Sequence, residues 1–244
     1  MQAPRGPILQ NVALAPHAGH FFTAASLRLR EDETEWAEVA ALAGVPVERL
    51  RLLHQVHGKT VAVVSKGSTG EWRRPEADAV VTDDPTVALV VRVADCAPIL
   101  LADVKTGAVA AIHAGWRSTL HRIVGAAVTT MRTTFDTDPR DLVAAIGPSL
   151  GVCCGEMGDE VVDAFREAGH DSATLSRWFT PDPGRRPHFD LWGANRDQLA
   201  QAGIPPAAIH ASGLCTRTHP ESFHSYRAVG PEAGRMAAVI RANR

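Results

Sequence analysis

With 244 residues, 45% of them hydrophobic and 21% charged, the chain has the composition of a globular protein that buries a real core. Its length suits one large α/β domain as well as two small ones. A formal net charge of −2 gives no field strong enough to recruit nucleic acid or an anionic membrane, although one or two arginines suffice for a phosphate-sized anion. Residues 1–10 carry two prolines and no apolar core of signal-peptide length, and no apolar run reaches membrane-spanning length. Cys96, Cys153, Cys154 and Cys215 do not suggest a disulfide scaffold in a chain this long, so reduced thiols in a cytoplasmic setting are expected.

In chain order, charge and alanine content predict a helix over residues 31–43, stopped by Gly44 and Pro46. Residues 50–56 and 60–64 read as extended segments around a His57-Gly58 turn. The centre is strand-rich, with short apolar runs at 79–82, 87–93, 99–103 and 109–113. Asp83-Asp84-Pro85 and Lys105-Thr106-Gly107 supply turns between them. Successive apolar residues, as at 88–91, imply strands covered on both faces. A helix follows over 119–133, a strand over 142–146 ending at Gly147-Pro148, and helices over 159–168 and 190–202 closed by Gly169 and Gly203. Residues 181–187 form a loop. There is no internal repeat, Gly/Ser linker, G-x-G-x-x-G, Walker A or H-E-x-x-H pattern. The expectation is a mixed α/β fold of packed sheet and helix layers.

Three clusters of chemically capable residues follow apolar strands: Leu53-His54-Gln55-Val56-His57-Gly58, Ala94-Asp95-Cys96-Ala97-Pro98 and His113-Ala114-Gly115-Trp116-Arg117. Two imidazoles and a thiolate, from His57, Cys96 and His113, suit Zn²⁺ or another borderline-soft ion and would leave a fourth position open. Residues three apart in an extended chain face opposite sides, so only one of His54 and His57 points at such a site; His57 is preferred because Gly58 permits close backbone approach. The same atoms suit a second chemistry, with Cys96 as nucleophile and His113 or His57 as base. They also suit a plain one, Cys96 as a small buried apolar side chain. Arg117, at a helix start, fits either a phosphate ligand or an arginine lying over Trp116. Arg227 fits an anion ligand or a surface charge. Cys153-Cys154 reads as a structural pair at a tight turn, with a second thiol near the site as the alternative.

These motifs resemble a known family. LHQVHGKTV, EADAVVT, ADCAPILLAD, AAIHAGWR, AIGPSLGVCCGE, HFDLW-x-x-N-R-x-Q-L and F-x-SYR, ending in GRMAAVI, occur in the order found in bacterial laccase-domain proteins. That family is also called multicopper polyphenol oxidase and is associated with purine nucleoside phosphorylase activity. The resemblance runs from about residue 50 to 240. It implies one α/β/β/α layered sandwich with mixed sheets over residues 1–244, related to predicted cysteine hydrolases. It implies His57, Cys96 and His113 as metal ligands, with zinc as the metal and copper behind the laccase name. The implied reaction is phosphorolysis of adenosine, inosine and methylthioadenosine to base and ribose 1-phosphate, with adenosine deamination beside it. A cysteine hydrolase or amidase editing cytoplasmic peptidoglycan precursors is the alternative. Copper-dependent polyphenol oxidation fits least, because one cysteine and two histidines cannot host a multicopper relay.

Under that reading Arg117 is the first candidate phosphate clamp and Arg227 the second, while Asp95 orients a ligand or moves a proton beside Cys96 and His113. The partners are a small nucleoside and phosphate, with no nucleic acid and no membrane, in a monomer or weak homodimer. The chain departs from the family where Phe22-Thr23 runs into Ala24-Ala25-Ser26-Leu27 without the usual Arg-x-Gly-Gly-Val-Ser stretch. Ser118 replaces a usual glycine, and Ala228 a usual arginine.

Overall fold

The computed structural model describes residues 8–30, 33–68 and 71–243. The expected absence of a signal segment rests largely on residues 1–7, and the expected helix start on Glu31 and Asp32; both lie outside the described residues.

The chain runs through β1 (Ile8–Leu9), β2 (Ala18–Thr23), α1 (Glu33–Ala43), β3 (Leu50–Arg51), β4 (Val61–Val64), β5 (Ala79–Thr82), β6 (Ala88–Val93), β7 (Ala97–Asp103) and β8 (Val109–Ala114). It continues with α2 (Trp116–Leu120), α3 (Ile123–Phe135), β9 (Leu142–Ile146), α4 (Asp159–Glu167), α5 (Ser172–Trp178), β10 (Phe179–Thr180) and β11 (His188–Phe189). It closes with α6 (Leu191–Gln201), β12 (Ile209–Ala211), α7 (Tyr226–Val229) and β13 (Met236–Ala242).

Two sheets carry the architecture. One has the order β1-β2-β13-β6-β3 and the other β12-β9-β7-β8-β5-β4, each with parallel and antiparallel pairs. The two-residue period of a strand assigns every side chain to a layer. Leu89 and Val91 of β6 and Ala238 and Ile240 of β13 meet Leu100, Val109, Ala111 and Ala145 of the other sheet. Ala88, Val90, Ala237 and Val239 face the opposite way and pack on Trp36, Val39 and Ala40 of α1. On the far side Ile99, Leu101, Ala110 and Ile112 pack against α3 and α6. The layers are therefore α/β/β/α, with the two sheets face to face in the middle.

Several elements differ from expectation. The segment at 50–56 is ladder-paired only at β3, after which His54 makes a single bridge to Glu76. The helix expected over 119–133 is two helices, because Arg122 takes a left-handed φ of 58° between α2 and α3. Strands β2, β12 and β13 and helix α5 lie where sequence periodicity showed no element. The pairing Phe22↔Ala238 joins the two ends of the chain, a contact that no local pattern encodes.

Candidate metal centre

The centre is built at one end of the inter-sheet layer. In β8, His113 shares the face of Val109 and Ala111, which points toward the other sheet. In the paired strand β7, Pro98 sits opposite His113, and Cys96 lies just before Ala97, the partner of Ala114. Strand alternation thus brings His113 and Cys96 to one face. Cys96 packs against Val93, Phe223 and Met236, at the end of the facing sheet.

His57 arrives from the connection after β3, where its φ of 60° turns the chain. Gln55 fixes this connection by a reciprocal pair with Arg92, its amide donating to the Arg92 carbonyl and its carbonyl accepting from the Arg92 N–H, both at 2.8 Å. The ligating atoms of His57, Cys96 and His113 all lie within 4.8 Å of one another. Cys96 Sγ is 3.9 Å from His57 Nε2, and the two imidazole rings meet edge-on with centroids 4.8 Å apart. Zn–S bonds of about 2.3 Å and Zn–N bonds of about 2.0–2.1 Å set tetrahedral ligand atoms about 3.3–3.6 Å apart, so small side-chain shifts would close this set on an ion.

Asp78 organises both histidines, and sequence reasoning missed it. The residue is fully buried just before β5. Its Oδ1 is 2.8 Å from His113 Nδ1 and accepts the His57 N–H at 3.0 Å, while Oδ2 accepts the N–H groups of Gly58 at 2.6 Å and Val56 at 3.3 Å. Engaging Nδ1 directs His113 Nε2 at the cluster, the usual carboxylate–histidine arrangement behind a metal ligand. Asp78 lies inside the EADAVVT motif, and its placement directly before an apolar strand was the available signal.

Charge follows geometry. Burial raises the Asp78 carboxyl, but hydrogen bonds from His113, Gly58 and His57 outweigh it and hold the group below the usual carboxylate range. Burial also raises the Cys96 thiol, yet the two histidines bring it down to about 6. Burial lowers His113, while Cys96 and Asp78 raise it to about 9. The shifts of Cys96 and His113 both run toward a thiolate beside a protonated ring, with Asp78 behind it. Gly115 gives the cluster room: a Cβ there would stand 2.8 Å from Cys96 Sγ and 3.2 Å from His57 Cδ2.

The other expected site residues sit around this centre in different ways. His54 is exposed and stays outside the cluster. Arg117 is exposed and lies over the Trp116 ring, its Cζ 4.2 Å from the centroid. Asp95, expected to orient a ligand or move a proton, has both carboxylate oxygens hydrogen-bonded. Oδ1 accepts from the Thr216 hydroxyl at 2.6 Å, and Oδ2 from the Arg227 N–H at 2.5 Å. Arg227, expected as an anion ligand, donates from Nη1 to the Cys154 and Glu156 carbonyls at 3.1 Å and to the Glu156 carboxylate at 3.2 Å. Its Nη1 thereby ties Tyr226–Val229 to the turn at residues 154–156.

Residues 24–30 lie along the C-terminal segment. The Ala25 N–H donates to the Ser222 carbonyl at 2.8 Å, and the Arg235 N–H to the Arg28 carbonyl at 2.7 Å. Cys153 and Cys154 occupy a 3₁₀ turn and group with Cys215 rather than with Cys96.

Fold and centre together define a layered mixed α/β protein with a His–Cys–His cluster at the end of its inter-sheet layer. The chain belongs to the family described as multi-copper polyphenol oxidoreductase laccase, which it matches over residues 31–243. It is 38% identical over 232 residues to a purine nucleoside phosphorylase of Deinococcus radiodurans, covering 94% of this chain and 84% of that one. A purine nucleoside phosphorylase of Bacteroides thetaiotaomicron is 39% identical over 163 residues, 67% of this chain and 60% of its own length. Adenosine deaminase RL5, from an unknown prokaryotic organism, is 38% identical, covering 83% of this chain and 78% of its own. The crystal structure of YlmD from Geobacillus stearothermophilus superposes with a TM-score of 0.87 at 29% identity, covering all of this chain and 98% of that one.

Proposed function

We propose that this chain is a zinc-dependent purine nucleoside phosphorylase, converting adenosine, inosine or methylthioadenosine with phosphate to the free base and ribose 1-phosphate, and that it also deaminates adenosine. The observation that carries the reading is the convergence of His57, Cys96 and His113 on one point, with Asp78 bound to both histidine positions. A Cys–His nucleophile needs one imidazole; two imidazoles aimed at one sulfur, with a carboxylate behind them, are what a three-ligand ion requires. Relatives named purine nucleoside phosphorylase and adenosine deaminase support a nucleoside as the substrate. Copper is the second candidate ion.

Zn²⁺ held by His57, Cys96 and His113 would supply Lewis-acid chemistry. The chain's own residues do the rest. Asp78 fixes the histidine orientation, and Gly115 keeps the space over Cys96 open. Arg117, two residues beyond Gly115, is the phosphate-binding candidate, exposed and with its Cζ over the Trp116 ring. Residues 1–244 are taken as one domain acting on a small nucleoside and phosphate, without nucleic acid or membrane. Among the described residues no helix is long and apolar enough to cross a membrane. The reducing cytoplasm is the compartment in which thiols this close stay reduced.

A second reading rests on the Cys96–His113–Asp78 chain, which also fits a cysteine hydrolase or amidase acting on a peptidoglycan precursor. Incubating the protein with adenosine, with and without phosphate, separates the two. Phosphate-dependent release of adenine and ribose 1-phosphate supports the phosphorylase. Absence of any base release by zinc-loaded protein rules it out.

A further inference from the structure

Away from the first centre, a second group of soft ligands has no role in that chemistry. The sulfurs of Cys153, Cys154 and Cys215 all lie within 4.8 Å of one another, and Cys153 and Cys154 Sγ are 3.7 Å apart. That separation is far beyond the ~2.05 Å of a disulfide, and it matches the edge of about 3.8 Å that Zn–S bonds of ~2.3 Å impose on a tetrahedron.

The chain is shaped to bring the three together. The 3₁₀ turn at Val152–Cys154 places two thiols side by side, with the Cys154 N–H bonded to the Gly151 carbonyl at 3.0 Å. Cys215 is held beside it by its bridge to Ser149 and by the Thr216 N–H on the Ser149 carbonyl at 3.0 Å. Gly151 is required at the junction, because a Cβ there would stand 3.1 Å from Cys215 Cβ and 2.8 Å from Trp192. The Thr218 hydroxyl and the His219 ring each bond the Cys215 carbonyl, at 3.3 and 2.9 Å, which fixes the loop that carries this thiol. Cys154 and Cys215 are buried while Cys153 is exposed, so an ion would enter from the Cys153 side.

We propose that Cys153, Cys154 and Cys215 form a second metal site, sharing no residue with the first, that binds one thiophilic cation, Zn²⁺ or Cu⁺, through three thiolates. All-thiolate sets select these ions over oxygen-loving ones. Bound there, the ion ties the turn at residues 151–155 to the loop at 215–218. These are the segments that hold Arg227, through the Cys154 carbonyl, and Asp95, through Thr216. The site is thus a staple behind the first centre, and it does not depend on the phosphorylase reading.

Metal counting tests it. Reduced, metal-free protein is titrated with Zn²⁺ against a competing chelator, and in a parallel arm with Cu⁺ under reductant. The expected result is two equivalents in the wild type and one in Cys96→Ala. In Cys215→Ala the second equivalent is lost and the first kept. Cys153→Ala, at an exposed position that leaves the fold intact, weakens the second equivalent at least as much as the roughly 10–100-fold typical of outer-shell losses. Alkylation of Cys153 in the wild type is suppressed only once the second equivalent is bound, a readout that needs no variant. Uptake of Cu⁺ but not Zn²⁺, lost in Cys153→Ala, supports the site and assigns its ion. One equivalent in the wild type that Cys96→Ala abolishes, or a second equivalent indifferent to both Cys153→Ala and Cys215→Ala, overturns it. A single equivalent that survives Cys96→Ala and is lost in Cys215→Ala supports this site and rejects the first one.

Discussion

Asp78 Oδ1 lies 2.8 Å from His113 Nδ1, and the same carboxylate accepts the backbone N–H groups of His57 and Gly58. One buried group therefore sets the orientation of one ligand and the backbone of another. The first prediction concerns this dependence. Asp78→Asn keeps the volume but places an amide NH₂ against donors. Zinc affinity at the first centre should fall by about 10–100-fold, as for other second-layer carboxylates. Asp78→Ala should in addition destabilise the fold, since each buried N–H left without an acceptor costs about 1–3 kcal/mol. Chelator-competed zinc titration and thermal melts check both, and an Asn variant with wild-type affinity would contradict the assignment.

Gly115 has φ −74°, a conformation open to any residue, so its constraint is space alone. Gly115→Ala should reduce metal occupancy, because its methyl would press on Cys96 Sγ, while overpacking costs at most about 1–3 kcal/mol of stability. Metal analysis beside a melting curve distinguishes this from misfolding. Full occupancy in the variant would show that the cluster has more room than the geometry gives it.

Much of this centre is legible in the sequence, and the reason is local. Cys96 lies just before one strand and His113 near the end of another, their apolar runs announce themselves, and antiparallel pairing then places the two residues together. His57 is marked by Gly58. Asp78 is not legible in the same way, because its role lies in hydrogen bonds to residues 20, 21 and 35 positions away. The partners of Asp95 and Arg227 are not legible either, because their hydrogen bonds reach residues 71–132 positions away. The outer strand β13 escapes notice for a related reason: its pairing with β2 depends on the two ends of the chain meeting. Cys215 likewise joins Cys153 and Cys154 only through the fold.

Asp95 adopts φ 80° while bridging Thr216 and Arg227. Asparagine tolerates that backbone region and alanine does not. Asp95→Ala should therefore lose more stability than Asp95→Asn, with about 1–3 kcal/mol for the orphaned donors common to the larger loss. Urea denaturation checks the order. Equal loss in the two variants would mean that the backbone conformation carries no penalty.

Three histidines set the acid limit of the fold. Burial lowers the pKa of His20, His170 and His224 below the ordinary 6.5. His20 Nε2 accepts the Asn11 N–H at 2.9 Å, a bond that only the neutral ring makes. Above 6.5 these rings are neutral in both the folded and the unfolded chain, so stability there is flat in pH. Below it the unfolded chain takes up protons that the folded chain refuses, and stability falls. Melting temperatures should hold between pH 7 and 8 on this account, and decline as pH drops through about 6.5 toward the lowered folded values. A melting temperature that rises over that interval would contradict the sign.

The central claim is that nucleoside turnover depends on an ion held by His57, Cys96 and His113. The most direct measurement follows the rate of adenine release from adenosine and phosphate against zinc content during dialysis with a chelator, followed by zinc add-back, in wild type and Cys96→Ala. The account predicts that rate and first-centre occupancy fall together, that zinc restores both in the wild type, and that Cys96→Ala regains neither. Metal-free wild-type protein that releases adenine at the full rate would contradict it.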